Sequence, residues 1–518
     1  MNRSTESCTN LVDLLRQRAD QQSERKAFTF LVDGDEEGAA YTYAGLDRRS
    51  RAVAAYLQAQ GVGPGERALL LFPPGLDFLT AFLGCLYAGV IAIPAPPPDA
   101  ARMKRSLPRL RSIVEDARAT VVLTTEVIAR LAERMGDRVE ALGQVRWVDV
   151  ADITDDRAET WRALTPAPDD VAYLQYTSGS TAAAKGVMIS HGNVMGNCAY
   201  MRRRWGYGQD SVACTWMPYF HDYGLVEGLL QPIYSAVPSY LLSPLAFLRR
   251  PLRWLHAISR YGVTHSAAPN FGYDHCVERA TAAKCVGLDL SRWRIASTGA
   301  EVIRDTTLER FAETFAAYGF DPSAFFPSYG LAEATLMVTT KNEPASAPTM
   351  LNVQTRALER GWVVEAPKDP GSGPPARTVV GCGGVDAEAG VDLIVVHPET
   401  GRRCSPDEVG EIWVSAPFIA QGYWGHGERN EAVFRAQPGA GQGSEADQRG
   451  YLRTGDLGFL RTGDLFVTGR LKEVIIIRGC NHFPQDIERS VEESHALFRE
   501  NGCAAFSVEV DGDERLIV

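Results

Sequence analysis

Four short apolar runs, ERALLLF (66–72), VIAIP (90–94), ATVVLTT (119–125) and VRWVDV (145–150), are separated by segments of helical pattern such as 103–117 and 126–135. Runs of this length and composition read as strands buried on both faces. Strands that alternate with helices build βαβ units, so the chain reads as an α/β fold with a largely parallel sheet. The spacing also predicts a helix over Leu11–Ala19. Further runs, in WMPYF, SYLLSP, THSAAPN, WRIAST and AFFPSYG, each stop at a polar or glycine-rich corner. In open α/β sheets, ligands collect at such carboxyl-end corners.

One stretch tests this reading, because Phe78 to Pro98 carries no charge. A membrane span needs about 20 apolar residues in a single helix. Here LTAFLGCLYAG reads as a core helix and VIAIP as a buried strand running into Ala-Pro-Pro-Pro, so no transmembrane segment is expected. The N-terminus, MNRSTESCTNLVDLL, lacks the apolar core of a signal peptide. With 518 residues, 45% hydrophobic and 23% charged, the chain can bury a sizeable core. Its 53 Lys and Arg against 64 Asp and Glu leave a net charge of −11, which speaks against nucleic acid as a partner. The ten cysteines are scattered without a C-x-x-C pair, as in reduced, buried thiols of a cytoplasmic protein.

Composition shifts near residue 341, where KNEPASAPTM and APKDPGSGPPAR bracket a short segment as linkers or an insertion. From about 379 to 470 the strands shorten and alternate (VDLIVVHP, GEIWVSA, GDLFVTG), which predicts a small antiparallel sheet or barrel. The glycine-rich stretch PGAGQGSEADQRG reads as a surface loop within it. After Lys472, the strand EVIIIRG, a helix from Pro484 and the strand ERLIV begin a further small unit that the sequence leaves short of a whole domain.

The sharpest chemical feature is YLQYTSGSTAAAKGVMISH (173–191). An apolar strand runs into Thr177-Ser178-Gly179-Ser180-Thr181, with Lys185-Gly186 beyond. Hydroxyls, backbone N–H groups and a lysine after a buried strand make an anion cradle. It is not a Walker loop, because the glycine follows the lysine. Read alone, it could also be a Ser/Gly-rich turn with a solvated lysine. Three other corners repeat the theme: Ser297-Thr298-Gly299-Ala300-Glu301, Ser328-Tyr329-Gly330-Leu331-Ala332-Glu333, and Tyr451 to Asp456 followed by Gly469-Arg470-Leu471-Lys472. Each offers part of what a nucleotide needs: an aromatic face, carboxylates and cations. The glycines of GCGG (381–384) lack the spacing of a dinucleotide fingerprint.

In this order the motifs resemble the adenylate-forming superfamily of acyl-CoA synthetases, luciferases and peptide-synthetase adenylation domains. Within it the chain looks most like the fatty acyl-AMP ligases. That resemblance runs from about residue 10 to the end and rests on MPYFHDYGL (217–225), APNFGYD (268–274), SYGLAEATL (328–336), AQGYW (420–424) and GRLKEVIIIRGCNHFPQDIE (469–488). The segment near 350–378 falls where these ligases carry an insertion that CoA-forming relatives lack. The implied architecture is a large N-terminal domain, 1–471, of two βα-layered, parallel-rich subdomains plus a small β-barrel-like subdomain at about 379–470. A truncated small α+β C-terminal domain, 472–518, follows.

The resemblance also implies roles. Thr177, Ser178, Gly179, Ser180, Thr181 and Lys185 handle the ATP phosphates and pyrophosphate. Gly299, Ala300 and Glu301 line the adenine, with Tyr329 against its face and Ser328 and Gly330 in the same corner. Glu333, with Thr177, holds Mg²⁺. Asp456 and Arg470 bind the ribose, and Lys472 is the hinge. His221 sits where the fatty acid carboxylate meets the α-phosphate; the plainer reading is a structural histidine. An acyl tail needs an apolar tunnel, for which Met217, Tyr219, Phe220 and Phe271 are candidate walls, although aromatics near strand ends are more often plain core. The expected reaction is activation of a medium- or long-chain fatty acid by ATP to acyl-adenylate and pyrophosphate. Transfer to the phosphopantetheine thiol of an acyl carrier protein follows.

Two departures bear on this. The family's loop usually reads Thr-Gly-Xaa-Pro-Lys-Gly, whereas here Thr181-Ala182-Ala183-Ala184-Lys185-Gly186 loses a glycine and a proline, which predicts weaker ordering of the phosphates. The family's C-terminal lysine motif is absent from the sequence, which predicts a chain that binds adenylates better than it makes them. Alternatives are an acyl-CoA synthetase or a non-catalytic acyl-adenylate-binding module. Basic clusters at 102–111 and 202–204 are candidate docking faces for a carrier protein, or else solvated faces.

Overall fold

A computed structural model describes residues 8–98, 103–135, 145–176, 184–367, 374–439, 450–477, 480–495, 497–498, 502–510 and 513–518. The four opening runs become the strands Arg67–Leu71, Ile91–Ala95, Val121–Thr124 and Arg146–Asp149, and the intervening helices are Leu76–Tyr87, Met103–Ala117 and Glu126–Met135. With Val171–Tyr176 and Gly186–Ser190 they form a six-stranded sheet, parallel except for its last pair. The uncharged stretch resolves as expected: every residue of helix Leu76–Tyr87 except Asp77 is buried. Gly84 lets that helix close on helix Tyr43–Ala59, because a Cβ there would lie 2.5 Å from Val53. No helix among the described residues is long and apolar enough to cross a membrane.

The second sheet has eight strands in the order Met337–Thr340, Phe325–Gly330, Ile295–Thr298, His265–Ala267, Ala213–Thr215, Ser239–Leu242, Lys26–Val32, Glu36–Thr42. Its interior pairs are parallel, and an antiparallel strand closes each edge. One large core joins the two sheets and their helices, and its aromatic centre includes Trp254, Trp293, Tyr273 and Phe311. The N-terminal helix spans Leu11–Gln21, two residues beyond the sequence expectation, and Asn10 caps it by accepting from the Asp13 N–H.

Beyond residue 341 the strands Met350–Gln354 and Ala376–Val380 pair antiparallel around the segment expected as an insertion. The strands Asp392–Val396, Gly410–Ser415, Leu452–Arg461 and Asp464–Arg470 form the small antiparallel sheet. Most of the expected surface loop after Gln437 lies outside the described residues. The last unit holds the hairpin Ile475–Ile477/Cys480–His482, helix Pro484–Glu493 and the hairpin Phe506–Val510/Asp513–Ile517. Phe483 buries itself in a cluster with Val353, Val379 and Phe459, and Arg377, one strand over, pairs with Asp486. Arg489 reaches Asp305 at 3.4 Å and Arg304 reaches Glu492 at 3.7 Å.

Two of the three arginines at 202–204 are used internally, while Arg202 is exposed. Arg203 pairs with Asp386, and Arg204 donates to the Thr340 carbonyl and to Asn342 Oδ1, each at 2.9 Å. Arg203 and Arg204 fasten a helix end to Asp386 and to the segment at Thr340 and Asn342.

Candidate active site

The site lies where the carboxyl ends of both parallel sheets face the small antiparallel sheet. Tyr176 pairs with Gly186, so the two ends of the 177–185 segment are pinned side by side. Gly186 is required by that closeness, since a Cβ would lie 2.9 Å from the Tyr176 ring. Thr177, Ser178, Gly179, Ser180 and Thr181 lie outside the described residues. Lys185 is half-buried, with its Nζ 5.5 Å from the centroid of the Tyr423 ring. Burial pushes its pKa down, and the nearby cations Arg429 and Lys472 add to that.

Tyr423 is the residue that sequence reasoning quoted but gave no role. The segment 421–424 runs antiparallel to strand Gly186–Ser190: Met188 N–H donates to Gly422 O, Gln421 N–H to Met188 O, and Trp424 N–H to Gly186 O. This ladder places Tyr423 beside Lys185. Its hydroxyl donates to Glu333 Oε1 at 2.8 Å. Glu333 rides on the tight turn Ala332–Ala334. The turn exists because Gly330 admits Leu336 O, which a Cβ would meet at 1.9 Å, and because Thr335 takes φ = +68°. Burial raises the Glu333 carboxyl above its ordinary range, and the Tyr423 hydroxyl acts against that.

A second group forms the floor. Asp456 Oδ2 accepts from the Tyr329 hydroxyl at 2.8 Å, while Oδ1 accepts from Arg470 Nε at 2.9 Å. Asp456 is buried, which raises its pKa, and Arg470 opposes the rise. The antiparallel register that opposes Asp456 to Arg470 makes the pair, and it brings Tyr329 in from the other sheet. Gly299 closes the same corner, where a Cβ would lie 2.6 Å from Ser328 O, and Ala300 takes φ = +69°. Two candidate residues have structural partners here. Ser328 Oγ lies 2.8 Å from Thr340 Oγ1, and Glu301 Oε1 accepts from Asn270 N–H at 2.7 Å. Glu301 therefore fixes the start of helix Asn270–Arg279, which carries Phe271.

His221 comes off the segment Trp216–Phe220, and Gln175 Nε2 ties this segment to the first sheet by donating to Phe220 O at 2.8 Å. Nδ1 of His221 lies 2.6 Å from Asp222 Oδ1. Burial lowers the histidine's pKa, but the hydrogen bond and charge of Asp222 outweigh it, and the net shift is upward. Straight after it, residues Tyr223–Leu230 wind as a π-helix, which no sequence pattern signalled. Gly224 makes this winding possible, because a Cβ would meet Pro218 O at 2.2 Å.

The four acyl-wall candidates separate. Tyr219 stacks on Phe78 with centroids 3.8 Å apart and donates its hydroxyl to Phe72 O, so it belongs to the first-sheet core. Met217 and Phe220 are half-buried beside His221, and Phe271 is partly exposed. Phe271 meets the edge of Trp216, which itself stacks on Phe247 at 3.8 Å. Trp216 was missed because an aromatic in a strand-end run carries no signal of which way it faces. Lys472 is exposed just past Arg470, with Leu471 N–H donating to Gly455 O.

The AMP-binding enzyme family model matches residues 15–424, and a model described as Disco-interacting protein 2-like, AMP domain matches 472–512. The chain is 49% identical over 512 residues to the medium-chain-fatty-acid–[acyl-carrier-protein] ligase JamA of Moorena producens, covering 98% of this chain and 85% of that one. It is 36% identical to the 4-hydroxyphenylalkanoate adenylyltransferase of Mycobacterium tuberculosis, over 94% of this chain and 78% of the other. The crystal structure of the fatty acyl-adenylate ligase from L. pneumophila in complex with acyl adenylate and pyrophosphate superposes with a TM-score of 0.82. It shares 37% identity, with 100% of this chain and 87% of that chain covered.

Proposed function

The chain belongs to the AMP-binding enzyme family, and from that premise we propose that it is a fatty acyl-AMP ligase. It joins a medium- or long-chain fatty acid to ATP, giving acyl-adenylate and pyrophosphate, and passes the acyl group to the phosphopantetheine thiol of an acyl carrier protein. The observation that carries the reading is the convergence of the Tyr329–Asp456–Arg470 floor with the Lys185–Tyr423–Glu333 corner, from segments far apart in sequence. One group suits the nucleoside and the other the phosphates.

A carboxylate oxygen forms a bond to the α-phosphorus, the bond from that phosphorus to the bridging oxygen breaks, and pyrophosphate leaves with the electron pair. No general base is needed, because the acid is already ionised near pH 7. The chain's work is positioning and charge neutralisation. Asp222 beside Nδ1 favours the protonated ring of His221, in which Nε2 donates toward the meeting anions. Lys185 supplies charge on the phosphate side. Asp456, held by Tyr329 and Arg470, keeps a carboxylate oriented for the ribose.

Mg²⁺ fits this site as a companion of ATP. Among the described residues no group of three or more His, Cys, Asp or Glu converges, so the ion would be held by Glu333, the expected Thr177 and phosphate oxygens. When bound it would neutralise phosphate charge. Carrier protein rather than CoA as acceptor is supported by the hairpin Met350–Gln354/Ala376–Val380 at the expected insertion. The hinge at Lys472, between a large domain 1–471 and a small domain from 472, and a cytoplasmic site are part of the same proposal. The latter agrees with the free thiols among the described residues.

The test is calorimetric titration with dodecanoyl-adenylate, AMP and dodecanoate. The adenylate is expected to bind at least tenfold tighter than AMP, about 1.4 kcal/mol. Equal affinity for adenylate and AMP refutes the lipid assignment.

A further inference from the structure

Two cations share one ring. Lys185 Nζ lies 5.5 Å and Arg429 Cζ 5.8 Å from the centroid of Tyr423. Lys472 is near enough to depress the Lys185 pKa further, as Arg429 does. Among the described residues, none of the three forms an ion pair. The acid in reach is Glu333, and its Oε1 accepts from the Tyr423 hydroxyl. On the helix carrying Arg429, Glu431 is paired with Arg435 at 3.1 Å, and among the described residues Glu428 forms no ion pair with Arg429. Three cations set against the single Glu333 carboxylate leave a net positive charge, and an incoming polyanion relieves it.

The position of Arg429 is fixed from two sides. It lies in the first turn of helix Gly427–Phe434, and Asn430 of that helix clasps Tyr423. Tyr423 N–H donates to Asn430 Oδ1 at 2.7 Å, and Asn430 Nδ2 donates to Tyr423 O at 3.0 Å. Gly422 permits the clasp, since a Cβ there would lie 2.5 Å from the Asn430 amide. Tyr423 is in turn laddered to Val187, two residues past Lys185. The backbone therefore holds the segments that carry Arg429 and Lys185 against the same Tyr423 ring. The sequence supplies a reason for an added cation, because Ala182 and Ala184 stand where the related loop has glycine and proline.

We infer that Arg429 is a ligand of the β- and γ-phosphates of ATP, and of the pyrophosphate they become. The planar guanidinium can grip two phosphate oxygens at once, as an ammonium cannot. As the bond to the α-phosphorus breaks, negative charge grows on the departing pyrophosphate, and Arg429 faces that charge together with Lys185. The inference rests on the adenylate-forming reading above.

Calorimetry with four probes tests it: AMP, dodecanoyl-adenylate, inorganic pyrophosphate and α,β-methylene-ATP, on the wild type, Arg429→Gln and Arg429→Lys. Arg429→Gln is expected to weaken pyrophosphate and methylene-ATP about tenfold, the loss of one or two charge-assisted hydrogen bonds. AMP and dodecanoyl-adenylate should stay within about twofold, with Arg429→Lys intermediate for the two polyphosphates. Parallel losses for all four probes would mark a structural residue and overturn the inference. So would pyrophosphate binding that is absent from the wild type or unchanged in Arg429→Gln. If the wild type fails to bind dodecanoyl-adenylate, the adenylate-forming reading itself falls. If it binds the adenylate and the variant keeps pyrophosphate, only the role of Arg429 falls.

Discussion

Tyr423→Phe removes a single hydroxyl while keeping the ring beside Lys185 and Arg429. That hydroxyl donates to Glu333 Oε1 at 2.8 Å in a largely buried corner. A hydrogen bond to a charged group contributes about 1.5–3 kcal/mol, so its loss should lower kcat/KM for adenylation about 10- to 150-fold. The pH dependence gives a sharper check. Burial already raises the Glu333 carboxyl, and the Tyr423 hydroxyl holds it down by favouring the ionised form. Without the hydroxyl the carboxyl is harder to ionise. The acid limb of the activity profile therefore moves to higher pH, and the deficit shrinks as pH rises. ATP–pyrophosphate exchange with dodecanoate, measured across pH, reads both effects. A variant within twofold of wild type, with an unmoved acid limb, would refute the claim that this hydroxyl tunes Glu333.

Gly330→Ala should cost about 3 kcal/mol or more, because its Cβ would meet Leu336 O at 1.9 Å; Gly427→Ala, with open space at the Cβ, should be nearly neutral by thermal unfolding. Glu227 is buried with Oε2 unpartnered, and burial pushes its pKa from the usual 4.5 up to about 8. The folded state keeps a proton that the unfolded chain releases, so stability falls as pH rises from about 4.5 to about 8, and Glu227→Gln should flatten that slope in denaturant titrations. Phe271→Ala should change acyl chain-length preference. Tyr219→Phe should cost about 1 kcal/mol of stability and leave that preference unchanged, since its hydroxyl is bonded to Phe72 O.

Much of this molecule was legible from pattern alone, and the reasons are local. The strands of the first sheet announce themselves because a strand covered on both faces must be a continuous apolar run, and Leu69, Leu70 and Leu71 are fully buried. Glycines marked real corners: Gly299 and Gly330 sit where backbone approaches backbone. What stayed hidden depends on register and on contacts across long sequence separations. Nothing in AQGYW says that Tyr423 will bond Glu333, because that follows from a ladder with residues 186–188. The π-helix after Asp222 escaped for a different reason, since its 3.6-residue and wider windings share one apolar pattern over so short a span. Tyr219 and Phe271 look alike as sequence, and only packing sends one into the core and leaves the other at the surface.

The pairing of residues 186–188 with 421–424 also orders events in time. A ribosome adding about 5–20 residues per second makes Tyr423 roughly 10 to 50 s after Lys185. The six strands of the first sheet are all synthesised by then, and helices and strands can settle into place as they emerge. The corner that joins Lys185, Tyr423 and Glu333 cannot close until the late segment arrives and zips onto Gly186–Ser190. A nascent chain thus carries a folded sheet well before it carries a complete phosphate site, which closes only after residues 421–424 have emerged.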